Sequence, residues 1–358
     1  MTTPFRSSSI SEQPNPTPLE QILLSLQCAD EAERITAFNS LRKTPKPLIE
    51  AAYKKFRLRT PKPGWEMDCL ERLDVEYPDP PIECDRCICT VISPGYEAMV
   101  EAMLDTLIAY GQSPEARIVV FAIDGSFEAL AHRGDITCIR CRSTERLSAA
   151  VKGAVYSAAR FIRANKILAV EADMLVVGSL QPIWAALDVA YPGNILGVRP
   201  PGFNQLFSFV DVISSIGCPK SDVAFLTGHP TFNCRYWFNG GVIAGDREAF
   251  LALDSQMQRL APFSILWMEG GSTAAYTDES LMNLSVGLLN NAAEISSIFN
   301  HIIASPVRAK WLATERAGNG LRYRQGGGAS KILHFVSPGR SVMREINSEI
   351  EDHGLLEN

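Results

Sequence analysis

The chain reads as an α/β protein: an open, mostly parallel sheet covered by helices, with a small helical appendage ahead of it. Three observations predict this. From about Arg86 onward, short apolar runs alternate with longer stretches whose apolar residues recur every three or four positions, the periods of strand and helix. The 358 residues are 46% hydrophobic and 21% charged, an ordinary globular composition with material for a large core. The longest apolar stretches, Ile167–Val170 and Met174–Val177, are short and interrupted by Glu171 and Asp173, so no membrane span is expected.

Residues 1–18 are rich in Ser, Thr and Pro and read as a disordered tail. They lack the apolar centre of a secretory signal, so a cytoplasmic protein with reduced cysteines is expected. Residues 19–85 read as a helical appendage and linker. Leu19, Ile22, Leu23 and Leu26 fall at helical spacing, and a second helical segment runs through Ile49 and Phe56. Pro61, Pro63, Pro78, Pro80 and Pro81 then break the chain.

The body is expected over residues 86–340. Cys87–Ile92 is a buried-strand candidate, turned by Ser93-Pro94-Gly95. Val100, Met103, Leu104, Leu107 and Ile108 then share a helical face. Arg117–Ile123 is a second strand, ended by Asp124-Gly125, and Ile136–Cys141 a third. Leu147, Val151, Ala154, Val155, Ala158, Phe161 and Ile162 mark the next helix, and Lys166–Val170 the next strand. Residues 341–358 read as a C-terminal tail.

The net charge of −6 and a pI near 5.5 argue against a nucleic-acid reader, which carries a basic face. Two C-x-x-C pairs, Cys84/Cys87 and Cys138/Cys141, offer four zinc ligands by spacing. The second pair lies in a strand pattern, where its members point to opposite faces, so buried free thiols are the preferred reading.

In an open α/β sheet, ligands bind beyond the carboxyl ends of strands. The strand Lys166–Val170 ends in Glu171-Ala172-Asp173, and the apolar run Met174–Val177 follows at once. Two carboxylates interrupting a buried run are costly unless something cationic meets them. A hard divalent ion does so; a pair of solvated turn residues is the other reading. Among five histidines only His334 sits in an apolar strand-like run, Lys331–Val336, where a satisfied core residue is the ordinary outcome.

At this point the residues resemble a known family. Lys166–Trp184 is similar to the D-x-D segment of family 8 glycosyltransferases. Tyr236–Gly245 resembles the family's F-N-x-G-V segment, and Thr277–Asn283 its D-Q-x-x-L-N segment. Ile298–Asn300 resembles a later F-N pair, and Ile332–Val336 its H-F/Y segment. Five segments in order make a strong combined signal.

The resemblance implies a GT-A-type, Rossmann-like single domain with a central mixed sheet. It also implies a hexosyltransferase that moves a sugar from a nucleotide-diphosphate donor, UDP-sugar expected, to a hydroxyl acceptor with retention. Asp173 and His334 would ligate Mn2+ or Mg2+. Glu171 stands at the first D-x-D position, where the family has an Asp, and would reach the ion or the ribose. Tyr96 matches an aromatic that stacks on the base; otherwise it is a packed loop tyrosine. Lys152 matches a basic residue reaching the donor; otherwise it is a solvated helix lysine. Arg340 stands where the family has the Lys of a K-P-W/H tail, to grip phosphate; otherwise it is a surface arginine.

Asn239-Gly240-Gly241 would bring an amide and a close backbone to the sugar, although Asn-Gly is also a hairpin signal. Asp278 would bind a sugar hydroxyl. Glu279, where the family has Gln, would stabilise an oxocarbenium-like transition state or act as nucleophile; both acids also suit a helix start. Pro200–Tyr236 is expected to shape the acceptor pocket. A non-catalytic nucleotide- or carbohydrate-binding relative with a degenerate metal site is the alternative, motivated by Glu171 and the missing K-P-W element.

Overall fold

The computed structural model describes residues 73–76, 80–143, 155–200, 237–257, 277–306, 312–317, 320–325 and 328–355, with Gln21, Thr36 and Ser40. Gln21, Thr36 and Ser40 are helical, as expected of that stretch; the rest of the expected helices over Leu19–Phe56, Lys152 and the 201–236 segment lie outside the described residues.

The strands are β1 (Leu73–Val75), β2 (Ile82–Ile92), β3 (Ala116–Ile123), β4 (Thr137–Ser143), β5 (Ile162–Val170), β6 (Met174–Val176) and β7 (Ile195–Val198). They continue with β8 (Asn239–Asp246), β9 (Ala292–Glu294), β10 (His301–Ile303), β11 (Ala313–Ala317), β12 (Gly320–Gln325), β13 (Gly328–Ala329) and β14 (Ile332–Phe335). The helices that position the site are α1 (Glu97–Tyr110), α2 (Gln181–Ala185), α3 (Thr277–Leu289) and α4 (Met343–His353).

Among the described residues, an eight-stranded sheet runs β1-β4-β3-β2-β5-β8-β7-β9. Strands β4, β3, β2 and β5 are mutually parallel, whereas β8 is antiparallel to both β5 and β7. The predicted α/β class with a central mixed sheet is therefore what the structure has. From β2 the chain goes to β3 and β4 on one side, then crosses to β5 on the other, so the strand order reverses between β2 and β5. That reversal opens a crevice at their carboxyl ends.

Local sequence accounts for these elements. Along β5 the last four residues, Ile167–Val170, are all buried, as a parallel strand covered on both faces requires. On α1, Val100, Met103, Leu104 and Leu107 face the core, while Ile108, expected on that stripe, is 45% exposed. A second small sheet, β10-β14-β6, packs with α4 on the other side of α1. Thr106 ties the layers together: its hydroxyl donates to the Ala102 carbonyl (2.9 Å) and accepts the Val176 amide (3.1 Å). Thr106→Val keeps the volume but strands a buried N–H. It is expected to cost about 1–3 kcal/mol, read as a lowered urea midpoint at unchanged slope.

Several boundaries differ from the sequence reading. β1 and the start of β2 fall within the segment read as linker, because β1 pairs with β4 along the sheet edge. Ile162 begins β5 instead of ending a helix. Residues 343–353, read as tail, form α4, which buries Met343, Ile346 and Ile350. Cys87, Cys89 and Cys141 are buried and Cys84 and Cys138 half-buried, all five as free thiols. Cys138, near the start of β4, pairs with Val120, which pairs with Thr90 on β2, whereas Cys84 lies six residues earlier on β2 and pairs with Ala164, so the two C-x-x-C pairs do not converge. No described helix is long and apolar enough to cross a membrane.

Candidate metal centre

Sheet geometry delivers three ligand types to the β2/β5 crevice. Glu171 and Asp173 follow the carboxyl end of β5 and precede β6. β14 pairs antiparallel with β6, setting His334 opposite Met174, and the Phe335 amide donates to the Asp173 carbonyl (2.8 Å). Potential ligand atoms of Glu171, Asp173 and His334 thus lie within 4.8 Å of one another. Asp173 and His334 are buried and Glu171 mostly so.

The His334 Nε2 atom lies 3.0 Å from Glu171 Oε2 and 3.4 Å from Asp173 Oδ1. It makes no hydrogen bond of acceptable geometry despite complete burial. Burial opposes charge on this imidazole, yet the Asp173 and Glu171 carboxylates outweigh it and push the pKa up to about 9. The two carboxylates thus favour positive charge at this point. Two carboxylates and one imidazole, with a buried nitrogen aimed between them, fit a divalent cation.

Arg340 and Tyr96 complete one flank. Arg340 Nε donates to Asp173 Oδ2 (2.6 Å), Nη1 donates to the Tyr96 hydroxyl (3.1 Å), and the guanidinium carbon lies 5.4 Å from the centre of the Tyr96 ring. Arg340 sits in a 3-10 turn, Ser337–Val342, that seats tightly on β10. A Cβ on Gly339 would lie 1.9 Å from the Ile303 carbonyl oxygen, so only glycine allows this approach. Arg340 stays partly exposed, its side chain 39% accessible, while pairing with buried Asp173, and Tyr96 is both half-packed against the core and part of the charged cluster.

The other flank is the start of β8. Asn239, Gly240 and Gly241 are strand residues, not a hairpin turn; a bulge at Gly197/Val198 pairs Val198 with Asn239. Glu279, in the first turn of α3, accepts from Trp237 Nε1 (2.8 Å), Asn239 Nδ2 (3.0 Å) and the Gly240 amide (3.1 Å). The helix-start and site readings of Glu279 are therefore compatible. Asp278 lies in the same turn. The Gly241 carbonyl accepts the Glu171 amide (3.1 Å), joining this flank to the carboxylates.

Two participants carried no assigned role in the sequence. Asn300 is 1% exposed and bridges His334 Nδ1 (2.9 Å) to Asn239 Oδ1 (2.8 Å). Trp237 holds Glu279. The available signal for Asn300 was a polar residue between apolar Phe299 and the β10 strand, which is expensive unless hydrogen-bonded.

No protein-family model and no curated protein matches this chain. Solved structures similar to it include a galactosyltransferase, LgtC, in complex with donor and acceptor sugar analogues, at 17% identity over 73% of this chain and 95% of that one, TM-score 0.46. Others are mouse xyloside xylosyltransferase 1, at 12% identity over 71% and 98%, TM-score 0.44, and the glycosyltransferase GlyE of Streptococcus pneumoniae, at 14% over 74% and 60%, TM-score 0.47.

Proposed function

We propose that this chain is a metal-dependent glycosyltransferase of the family 8 type. It would transfer a hexose from a nucleoside-diphosphate sugar, UDP-sugar first among candidates, to a hydroxyl acceptor with retention. One observation carries the reading: a buried imidazole nitrogen faces two carboxylate oxygens, at 3.0 and 3.4 Å, in the crevice where strand order reverses.

Asp173, His334 and Glu171 are the residues that would hold the cation, which when bound supplies positive charge to a departing diphosphate. Arg340, already beside Asp173, adds a fixed guanidinium to the same region, and Lys152 is proposed to do likewise. Tyr96 offers its ring to the base. Asn239, Gly241, Asp278 and Glu279 are proposed to surround the sugar. With both oxygens accepting hydrogen bonds, the Glu279 carboxylate is better suited to stabilising positive charge at the anomeric carbon than to attacking it.

A non-catalytic binding relative draws support from Arg340, which already supplies Asp173 with a counter-charge. The two readings separate in one experiment: thermal stability with UDP, GDP, ADP and CMP, with and without manganese, alongside nucleoside-diphosphate release from nucleotide sugars. A ligand at a hundred times its Kd stabilises by about 2.7 kcal/mol, a shift of several degrees. A manganese-dependent shift with turnover is the expected result. A shift without turnover favours a nucleotide-binding relative, and no shift with any nucleotide overturns the transferase reading and leaves only a carbohydrate-binding relative.

A further inference from the structure

The hydrogen bonds running from Glu279 to His334 have a direction that chemistry dictates. Glu279 Oε2 accepts the Gly240 amide, which can only donate, and the same oxygen accepts from the Asn239 side chain. The end of Asn239 facing Glu279 is therefore its NH2 (3.0 Å). Its other end meets the Gly241 amide (3.1 Å), again a pure donor, so that end is the carbonyl oxygen. Two independent anchors thus orient Asn239 without any choice of amide flip.

The carbonyl oxygen of Asn239 also faces the Asn300 side chain at 2.8 Å, which must present its NH2 there. Asn300 then has only its oxygen left for His334 Nδ1, 2.9 Å away. An oxygen acceptor requires a proton on Nδ1. In the neutral imidazole the lone pair consequently lies on Nε2, the buried atom that faces Glu171 and Asp173.

We propose that Asn300 and Asn239 are positioning residues that relay the fixed polarity of Glu279 to His334, selecting the tautomer and ring orientation in which Nε2 is a cation ligand. The inference rests on the metal reading above and adds to it a reason for two buried polar groups, Asn300 and His334, and two half-buried ones, Asn239 and Glu279. It also links the two flanks: the carboxylate proposed beside the sugar orients the ligand proposed beside the diphosphate. Outer partners of this kind alter metal affinity by about 10–100-fold when removed.

The test compares manganese binding by calorimetry for wild type, Asn300→Leu and Asn300→Asp, with 15N NMR of histidine-labelled wild type loaded with magnesium. Leu removes the acceptor; Asp keeps an acceptor for Nδ1–H while losing the donor to Asn239. Expected results are a loss of about 10–100-fold in affinity for Leu, near-wild-type binding for Asp, and a protonated Nδ1 with metal-bound Nε2. Equal binding by wild type and Leu, equal losses in Leu and Asp, or a protonated Nε2 overturns the relay while leaving the metal site standing. Absence of manganese binding by wild type sinks the metal site and the relay with it. If Asn300→Leu fails to fold, the wild-type NMR result decides alone.

Discussion

Asp173→Asn is expected to eliminate manganese-dependent nucleotide binding and to lower donor turnover by about 10^3-fold or more, the equivalent of several kcal/mol of transition-state stabilisation. The substitution keeps size and shape and removes one negative charge. Asp173 faces His334 on one oxygen and Arg340 on the other, so an amide there keeps a single oxygen, to accept from Arg340 or to face the cation. Removing one partner of a buried charged cluster also leaves the remainder poorly compensated. Circular dichroism and a urea midpoint verify that the variant is folded before its binding is compared. Turnover that survives at the wild-type level would remove Asp173 from the site.

Gly241→Ala is expected to be nearly as damaging, although it adds a single methyl. A Cβ at this position would lie 2.5 Å from Met174 Cε, 2.6 Å from His334 Cε1 and 2.7 Å from His334 Nδ1. The methionine terminus can swing aside. The imidazole cannot do so freely, being held by Asn300 on one side and set by β14 pairing on the other. Overpacking of this kind costs about 1–3 kcal/mol in stability. The larger effect falls on function, because the ring must move off the Nε2 position that faces Glu171 and Asp173. A manganese titration should show at least a tenfold weaker site than wild type, while Gly240→Ala, whose Cβ meets only the Tyr156 hydroxyl closely, at 2.7 Å, perturbs it less. Equal manganese affinity in wild type and Gly241→Ala would mean that His334 is not a ligand.

Part of the site was legible in local signals, and the resemblance of five ordered segments supplied what those signals left open. Glu171 and Asp173 break an apolar run at a strand end, and burial of charge there has few inexpensive solutions. His334 stood out as a histidine inside a strand of otherwise apolar residues, and β14 is buried throughout. The class of fold followed from alternating periods of two and 3.6, which report which side of each element meets the core. Element limits were less legible where a tertiary partner decides them. Leu73–Val75 lies among polar and proline-rich residues and becomes a strand only because β4 offers an edge. The final helix has a short apolar stripe, Met343, Ile346 and Ile350, that acquires meaning once α1 and β12 supply a surface for it.

What the sequence by itself determined is therefore the alternating α/β architecture, the strand end that carries two carboxylates and the histidine suited to join them. Only the tertiary structure decided that Arg340 meets Asp173, that Glu279 grips Asn239, and that Asn300 stands between Asn239 and His334. The physical reason is that periodicity encodes which face of an element is buried, whereas a hydrogen bond depends on a donor and an acceptor meeting within about 3 Å at a suitable angle. That meeting is produced by the crossing of β5, β8 and β14 at one crevice, from segments far apart in the chain. Its polarity, from carboxylate to amide to amide to imidazole, exists only once all four groups are in place.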